Sequence, residues 1–565
     1  MKSEKERFRR LVRHFAYRFV DHDLVASDGD IHQTLVNVLA VLATLSFVQA
    51  VLLILKYFFR FDHTLPAIRQ LQLWVDQEFL ISLVITAVGF FTVLGWDALF
   101  PDRRDALALG ALGVRPGTFL GARLCAIAMF LGLVVSATIS FLVISFPFQI
   151  TGQNAPFRAI AHAFAVNLTV LAGAGCFAFL SFFAVRGVLV LTLGYSLQQR
   201  LSAWIQLVAM VAFLLGLFLL PNPAIVRQGP AWLGAWLPSY WFLSLEQRLL
   251  GAPQPLPWDF SSRALNGLAV SAAVAFGCFA AGYKSALRKA AEEGEISPRE
   301  RRPITGMLLA PVGRFFLSGP RQRAAFLFTA RTMFRSRKHR LMLAVYCAVG
   351  LAYVGGGLSR AIERASNWEI GAPSPALTSI PLDLAFALLL GARVLFSTPV
   401  ELNSNWIFRM NQNGSPDEYV SGVRKFLLLL AGVPLALAPL PAYAAMWGPG
   451  AAIRHSIFFL LVVAWLVELL LRDFHKIPFT CSAFPGKANL KIRIPAYFVL
   501  FTVVSYLLAL LDTYFAGHPG AFTVFTGACA LGYAALRWKR ARDGGGWSFQ
   551  WEEKSDWFAR MDLAQ

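Results

Sequence analysis

Trp96-Asp-Ala-Leu-Phe-Pro-Asp-Arg-Arg-Asp-Ala-Leu-Ala-Leu-Gly-Ala-Leu-Gly-Val-Arg-Pro-Gly-Thr-Phe-Leu-Gly-Ala-Arg123 is a polar interruption between two long apolar segments, and the rest of the chain falls into place around it. Asp102 stands where a helix N-cap belongs. Asp105, three residues on, answers as a short-chain version of the capping box, and Pro116-Gly117 ends the helix after about three turns. These residues predict a short helix at a membrane face, joining a second spanning helix to a third. Such a helix is a surface that a soluble partner can push against; a plain capped loop fits the same residues.

The segments before it, residues 35–58 and 79–100, are each long enough to cross roughly 30 Å of hydrocarbon as a helix. After it come spans at 124–146 and 160–184. Arg186, a short apolar run to Tyr195, and Arg200 then mark a bend, open to a re-entrant course, before a fifth span at 204–220. Residues 221–263 are rich in Pro and Trp, with Trp232, Trp236, Trp241 and Trp258 placed as an aromatic belt places them, and a sixth span at 264–283 closes the first half. The region 284–340 is the longest polar stretch and the most basic. Within it Phe326, Ala330, Met333 and Phe334 recur at helical spacing, so the chain restarts there with a second interfacial helix. Six more spans are expected at 341–358, 377–396, 426–446, 456–471, 496–515 and 521–536. A second polar loop at 399–425, holding Glu401, Arg409, Asp417 and Glu418, occupies the place that the quoted stretch holds in the first half.

The expected fold is therefore all-α and polytopic, with about twelve transmembrane helices in two six-helix halves. Residues 1–34 form an amphipathic entry helix and loop, 35–283 the first half, 284–340 the basic linker, 341–536 the second half and 537–565 a tail. Composition agrees: of 565 residues 57% are hydrophobic and 15% charged, and the mean hydropathy is +0.56, too apolar for a large soluble protein. The net charge of +20 does not point to nucleic acid, because Lys and Arg gather in alternate loops as the positive-inside rule requires. That rule puts the N-terminus, the Arg103-Arg104 loop, the linker, residues 472–493 and the tail together in the cytosol. No secretory signal begins the chain; instead Phe8, Leu11, Val12, Phe15 and Phe19 share one helical face, as in a helix lying in the interface.

Other chemistry-bearing residues divide into several groups. The six cysteines are far apart, lack a C-x-x-C pair and read as small core residues. Asp21-His-Asp23 and Asp28-Gly-Asp30 could hold a divalent metal or form a solvated turn. Asp383 and Arg393 share one span and are candidates for lining a pathway, since charge inside a bilayer is costly. Glu468 lies one turn from Arg472, Lys56 can snorkel, and Asp512, His162 and His455 fall near outer span ends. No G-x-x-x-x-G-K-[ST] occurs; Phe484-Pro-Gly-Lys-Ala488 has Ala where the Mg²⁺-binding hydroxyl is needed and lacks the first glycine.

Four pieces taken in order resemble the ABC-2 type exporter permeases: the entry helix around Arg13 to Phe19, the Phe100-Pro-Asp-Arg-Arg-Asp105 loop, the Val114-Arg-Pro-Gly-Thr-Phe-Leu-Gly-Ala-Arg123 return, and Leu237-Pro-Ser-Tyr-Trp-Phe-Leu-Ser-Leu-Glu-Gln-Arg-Leu-Leu-Gly251. The likeness covers the first half by motif and the second by layout. It implies a permease, not an enzyme; the preponderance of Arg over Lys fits a bacterial inner membrane, and the even number of spans with the loop charges puts both termini in the cytosol. ATP would sit on a separate ATPase subunit, a dimer, so that this chain carries no cofactor of its own. The contacts with that partner would be Asp102, Arg103, Arg104 and Asp105 in one half and Glu401, Arg409, Asp417 and Glu418 in the other. Short outer loops favour an amphipathic or lipid-like cargo. Two other classes fit the sequence: an enzyme acting on lipid-linked substrates, supported by the D-x-D pairs, and a non-transporting anchor that docks a partner through its tail, where Trp547, Trp551 and Trp557 alternate with Glu552, Glu553 and Asp556. Asn403 to Arg409 and Ile477 to Lys487 are distinctive runs to which no chemistry attaches.

Overall fold

The computed structural model describes residues 2–20, 31–60, 66–100, 116–152, 155–193, 195–221, 226, 231–251, 258–292, 317, 319–364, 373–400, 405–410, 416–472, 474–481, 490–542, 549 and 551. The chain divides into two compact units, Met1–Arg299 and Glu300–Gln565, with the division inside the basic linker.

In the first unit α1 (Lys2–Val20) is amphipathic and precedes α2 (Ile31–Arg60), α3 (Pro66–Leu94) and a single 3₁₀ turn, Trp96–Leu99. Beyond the quoted stretch come α4 (Pro116–Thr151), α5 (Phe157–Thr192), α6 (Tyr195–Leu219), the short α7 (Ala231–Trp236), α8 (Pro238–Leu250) and α9 (Ser261–Glu292). Pro116 opens α4, a position that suits a residue with φ already near the helical value and no amide hydrogen to satisfy. The bend expected between Arg186 and Arg200 falls at Leu193, not at Arg186. Helix α5 runs through it, and the chain turns only at Leu193, just before α6. Helix α8 stops at Gly251, whose φ of 63° is the left-handed cap that glycine adopts without steric cost. Helix α3 is central, with Ile81, Val84, Val88 and Val93 buried, whereas α2 turns Phe47, Leu52 and Phe58 outward, as a lipid-facing helix does.

The second unit begins with α10 (Pro320–Arg335), which buries Phe326, Ala330 and Met333 at the expected spacing. There follow α11 (Arg337–Arg364), α12 (Pro375–Leu395), α13 (Asn405–Met410) and α14 (Pro416–Leu427). A π-helical turn, Leu428–Gly432, joins α14 to α15 (Val433–Leu437), with α16 (Leu440–Trp447), α17 (Pro449–Leu470), α18 (Leu490–Gly517) and α19 (Pro519–Arg542) beyond. The third long helix of this unit is thus segmented where its counterpart α4 is continuous. Pro434, Pro439 and Pro441 account for the breaks, since each removes an amide donor from the helical ladder.

Every expected span overlaps a helix. Nine stretches among the described residues are long and apolar enough to cross a membrane. The helices α6 and α18 offer shorter apolar stretches, Trp204–Leu217 and Val503–Gly517, and α11 is not among the nine. No strand occurs among the described residues.

Candidate coupling sites

Asp102, Arg103, Arg104 and Asp105 lie outside the described residues, but both ends of their stretch are fixed. On the entering side Phe100 packs against Phe183 and Phe279, ring centres 5.7 and 5.6 Å away. On the leaving side Arg123, only 1% exposed, reaches back and donates from Nη2 to the Phe100 carbonyl oxygen at 2.6 Å. Its guanidinium also sits 5.2 Å from the Phe15 ring of α1, and Phe15 meets Phe119 edge to face at 5.4 Å. One buried cation therefore ties the end of the second long helix, the start of the third and the interfacial helix together. A charge is tolerable there because it is paid with a carbonyl dipole and a π face.

In the second unit Glu401 lies outside the described residues, and Arg409, Asp417 and Glu418 lie within them. Asp417 and Glu418 occupy the first turn of α14, where the helix dipole favours negative charge, while Arg409 is on the last turn of α13. Glu418 Oε2 is 3.1 Å from Arg321 Nη1 of α10, with both side chains largely in solvent, so the pair contributes at most about 1 kcal/mol. The firmer bonds are deeper: Gln322 Nε2 donates to Ser421 Oγ at 2.7 Å and Lys425 Nζ to Gln322 Oε1 at 3.1 Å, and Phe326 meets Phe426 at 5.9 Å. Arg424, buried, places Nε 2.5 Å from Glu468 Oε1 on α17, and Tyr533 and Arg537 of α19 also approach that carboxylate. Glu468 thus pairs with Arg424, across 44 positions, and not with Arg472. Five segments of this unit also enclose an apolar cavity of about 420 Å³, lined by Phe328, Phe408, Tyr419, Val423 and Phe549 among others.

The two units share a pattern that the sequence shows once the helices are known. Gly121-Ala-Arg123 follows Pro116, and Gly422-Val-Arg424 follows Pro416, one residue further on. In each unit the interfacial helix crosses the third long helix at that glycine. A Cβ at Gly121 would face the Phe8 ring of α1 at 3.6 Å, and one at Gly422 would collide with the Gln322 carbonyl of α10. In each unit the arginine two residues later is buried, Arg123 at 1% and Arg424 at 5% exposure. Matching Pro116 with Pro416 alone misses this, because the single inserted residue shifts the Gly-x-Arg signal out of register.

The pathway candidates are not brought together. Asp383 accepts a hydrogen bond from Ser505 at 2.6 Å in the contact of α12 with α18, beside the stacked Phe386 and Phe501. Arg393 donates from Nε to the Leu470 carbonyl at 3.0 Å and lies 4.8 Å from the Phe474 ring, capping the end of α17. Lys56 pairs with Asp76 at 2.6 Å, and His455 Nδ1 lies 2.5 Å from Asp512 Oδ2. Cys125 is exposed and Cys481 buried, so the cysteines are not uniformly core residues. The D-x-D residues Asp21, Asp23, Asp28 and Asp30 fall outside the described residues, as do Trp547, Trp557, Glu552, Glu553 and Asp556 of the tail.

A second polar region lies between α3 and α8, on helices that carry none of the motifs above. Trp74 Nε1 donates to Gln247 Oε1 at 3.2 Å, and Gln247 Nε2 to Gln77 Oε1 at 2.5 Å; Ser82 Oγ donates to Glu78 Oε1 at 3.1 Å. Glu78 and Glu246 are 0% and 1% exposed. Burial pushes the Glu246 carboxyl up to about 8, offset in part by a hydrogen bond from Gln77. The signal for this seam was the pair of acid–amide doublets, Gln77-Glu78 and Glu246-Gln247, in otherwise apolar helices.

Taken together, the described residues define a helical, multi-pass membrane protein in which an amphipathic helix packs against the third long helix of each unit. No family model matches the chain, and no characterised protein or solved structure matches it either.

Proposed function

We propose that this chain is the permease of an ATP-driven exporter of the ABC-2 kind, with twelve spans in two six-helix halves, both termini cytosolic, in a bacterial inner membrane. One observation supports this above the others: each unit repeats an amphipathic helix locked onto the start of its third long helix through a glycine crossing and a buried arginine. Such a lock lets a push on the preceding loop move the interfacial helix and the long helix as one body. In the first half the push would arrive at Asp102 to Asp105 and pass through Arg123. In the second it would arrive at Glu401, Arg409, Asp417 and Glu418 and pass through Arg424 to Glu468 and α19. The π-helical turn and the prolines after α14 give this half a hinge, which converts a push at the membrane face into a change of tilt. The ATP is bound by a separate dimeric ATPase, and the cargo is amphipathic or lipid-like.

The test is to purify the intact chain in mild detergent and identify co-purifying proteins by mass spectrometry, beside a variant carrying Asp102→Ala, Arg103→Ala and Arg104→Ala. An ATPase with a G-x-x-x-x-G-K-[ST] motif should accompany the parent chain and be lost from the variant. Recovery of no ATPase with either, even after crosslinking in native membranes, rejects the proposal.

A further inference from the structure

The seam between α3 and α8 buries two acids with no counter-charge. Glu78 on α3 and Glu246 on α8 are almost wholly enclosed, and among the described residues no cation acts on either. One oxygen of each carboxyl, Glu78 Oε2 and Glu246 Oε1, is buried without a hydrogen-bond donor. The polar groups that do reach them are neutral: Ser82 donates to Glu78 and Gln77 to Glu246, while Trp74 donates to Gln247 and Gln247 to Gln77. Other ionisable side chains on the packed helices are engaged elsewhere. Asp76 turns to Lys56 and the Tyr57 hydroxyl of α2, Arg248 donates to Ser261 at the start of α9, Arg263 to the Ala235 carbonyl, and the Tyr240 hydroxyl to the Leu220 carbonyl. Arg69 of α3 and Arg158 and His162 of α5 are exposed, and Arg123 and Arg186 meet Phe100 and the Trp96 ring at the other end of α3. An ionised carboxylate enclosed without a cation is costly, so the closed seam demands neutral acids.

We propose that the α3–α8 seam is a two-proton binding site whose occupancy holds α8 against α3. With a proton on each carboxyl the seam is shut. When the O–H bonds of Glu78 and Glu246 break and the protons pass to bulk water, two unpaired anions remain, and their hydration requires water to enter between the helices. The mobile side is α8, a helix of thirteen residues that begins at Pro238 and ends at Gly251, whose left-handed φ of 63° breaks the helix there. Helix α3 is the fixed side, packed on α4, α5 and α6 as well. The inference does not rest on the transport proposal, since it needs only these two helices and their side chains.

The experiment uses the full chain in mild detergent, with amide hydrogen exchange followed by mass spectrometry at pH 6 and pH 9 and corrected for the intrinsic effect of pH on exchange. Peptides covering α8 should exchange at least about 10-fold faster at the higher pH, one factor of ten being what a single raised proton site supplies per pH unit. Peptides covering α10, in the other unit, should not change. A variant carrying both Glu78→Gln and Glu246→Gln, in which each amide copies the shape of the neutral acid, should stay protected at both pH values. Proton release is counted separately by titration in weak buffer: the parent should give up two more protons than the double variant over this range, and each single variant one fewer than the parent. Flat exchange in α8, an equal rise in α10, a rise that persists in the double variant, or equal proton counts would each overturn the proposal. Should the double variant not fold, the parent chain still decides, since α8 exchange that does not rise with pH, or rises no more than that of α10, refutes it.

Discussion

The crossing of each interfacial helix over its third long helix makes opposite predictions for the same substitution in the two units. At Gly422 an added Cβ collides with the Gln322 carbonyl and comes within 3.1 Å of the Ala325 Cβ. A backbone carbonyl cannot swing aside as a side chain can, so α10 must lift from α14. Overpacking of that sort costs about 1–3 kcal/mol, against about 1 kcal/mol gained when alanine replaces glycine in a helix. Gly422→Ala should therefore be destabilising by up to about 2 kcal/mol. At Gly121 the new methyl meets only the Phe8 ring edge, at 3.6 Å, an ordinary contact. Gly121→Ala should keep the helix-propensity gain and stabilise by about 0.5–1 kcal/mol. At about 2–4 °C per kcal/mol for domains of this size, the two variants should bracket the parent chain in apparent melting temperature. The assay is intrinsic fluorescence during heating, in one detergent and at one protein concentration. A Gly422→Ala protein that melts at or above the parent, or a Gly121→Ala protein that melts below Gly422→Ala, refutes the helix crossing as described.

Two further outcomes follow from buried charge. The Glu246 carboxyl, ordinarily ionising near 4.5 and raised to about 8 by burial, holds its proton in the folded chain while the unfolded chain has lost it. Its contribution to stability is therefore greatest at acid pH and falls as pH rises from about 4.5 through about 8, by up to ~1.4 kcal/mol per pH unit. Glu246→Gln should flatten the change in melting temperature between pH 6 and pH 8.5, and an unaltered slope would remove Glu246 as its source. Arg424→Leu should destabilise by about 3–5 kcal/mol because it strands Glu468 in the interior, and adding Glu468→Leu should restore most of the loss; a double variant as unstable as the single one would show that the pair is not an isolated unit.

Much of the architecture was legible because hydrophobic length is a strong signal. A run of apolar residues sufficient to cross a bilayer has few other uses, and nine stretches among the described residues are long and apolar enough to do so, although the helix ends moved. The ends moved for local reasons. Pro116 reads in the sequence as the stop of a short helix, and in the structure it is the first residue of α4. Arg186 looked like a break because a charge inside an apolar run usually is one; here its guanidinium lies 5.8 Å from the Trp96 ring, which lets the helix continue. The interfacial helices were legible from spacing, Phe8, Leu11 and Phe15 in one and Phe326, Ala330 and Met333 in the other.

The partners of the buried charges were not legible, because they join positions far apart in the chain: Arg123 with Phe100, Arg424 with Glu468, Gln77 with Gln247, His455 with Asp512. Local rules see only neighbours within a turn, which is why Arg472 was the natural partner to assign to Glu468. The cavity was invisible for the same reason, being assembled from segments more than 200 residues apart. Asp383 and Arg393 drew notice as intramembrane charges. The structure gives Asp383 the Ser505 hydroxyl and Arg393 the carbonyl end of α17, partners 122 and 77 positions away.

The most direct test of a shared coupling partner places a photo-crosslinking residue at Arg103 and, separately, at Glu418, in cells carrying the full chain. Both positions should capture one and the same ATPase, and a variant with the crosslinker at Trp236, on the opposite side of the proposed topology, should capture none. Capture of unrelated proteins at the two sites, or of the ATPase at Trp236, would contradict the account.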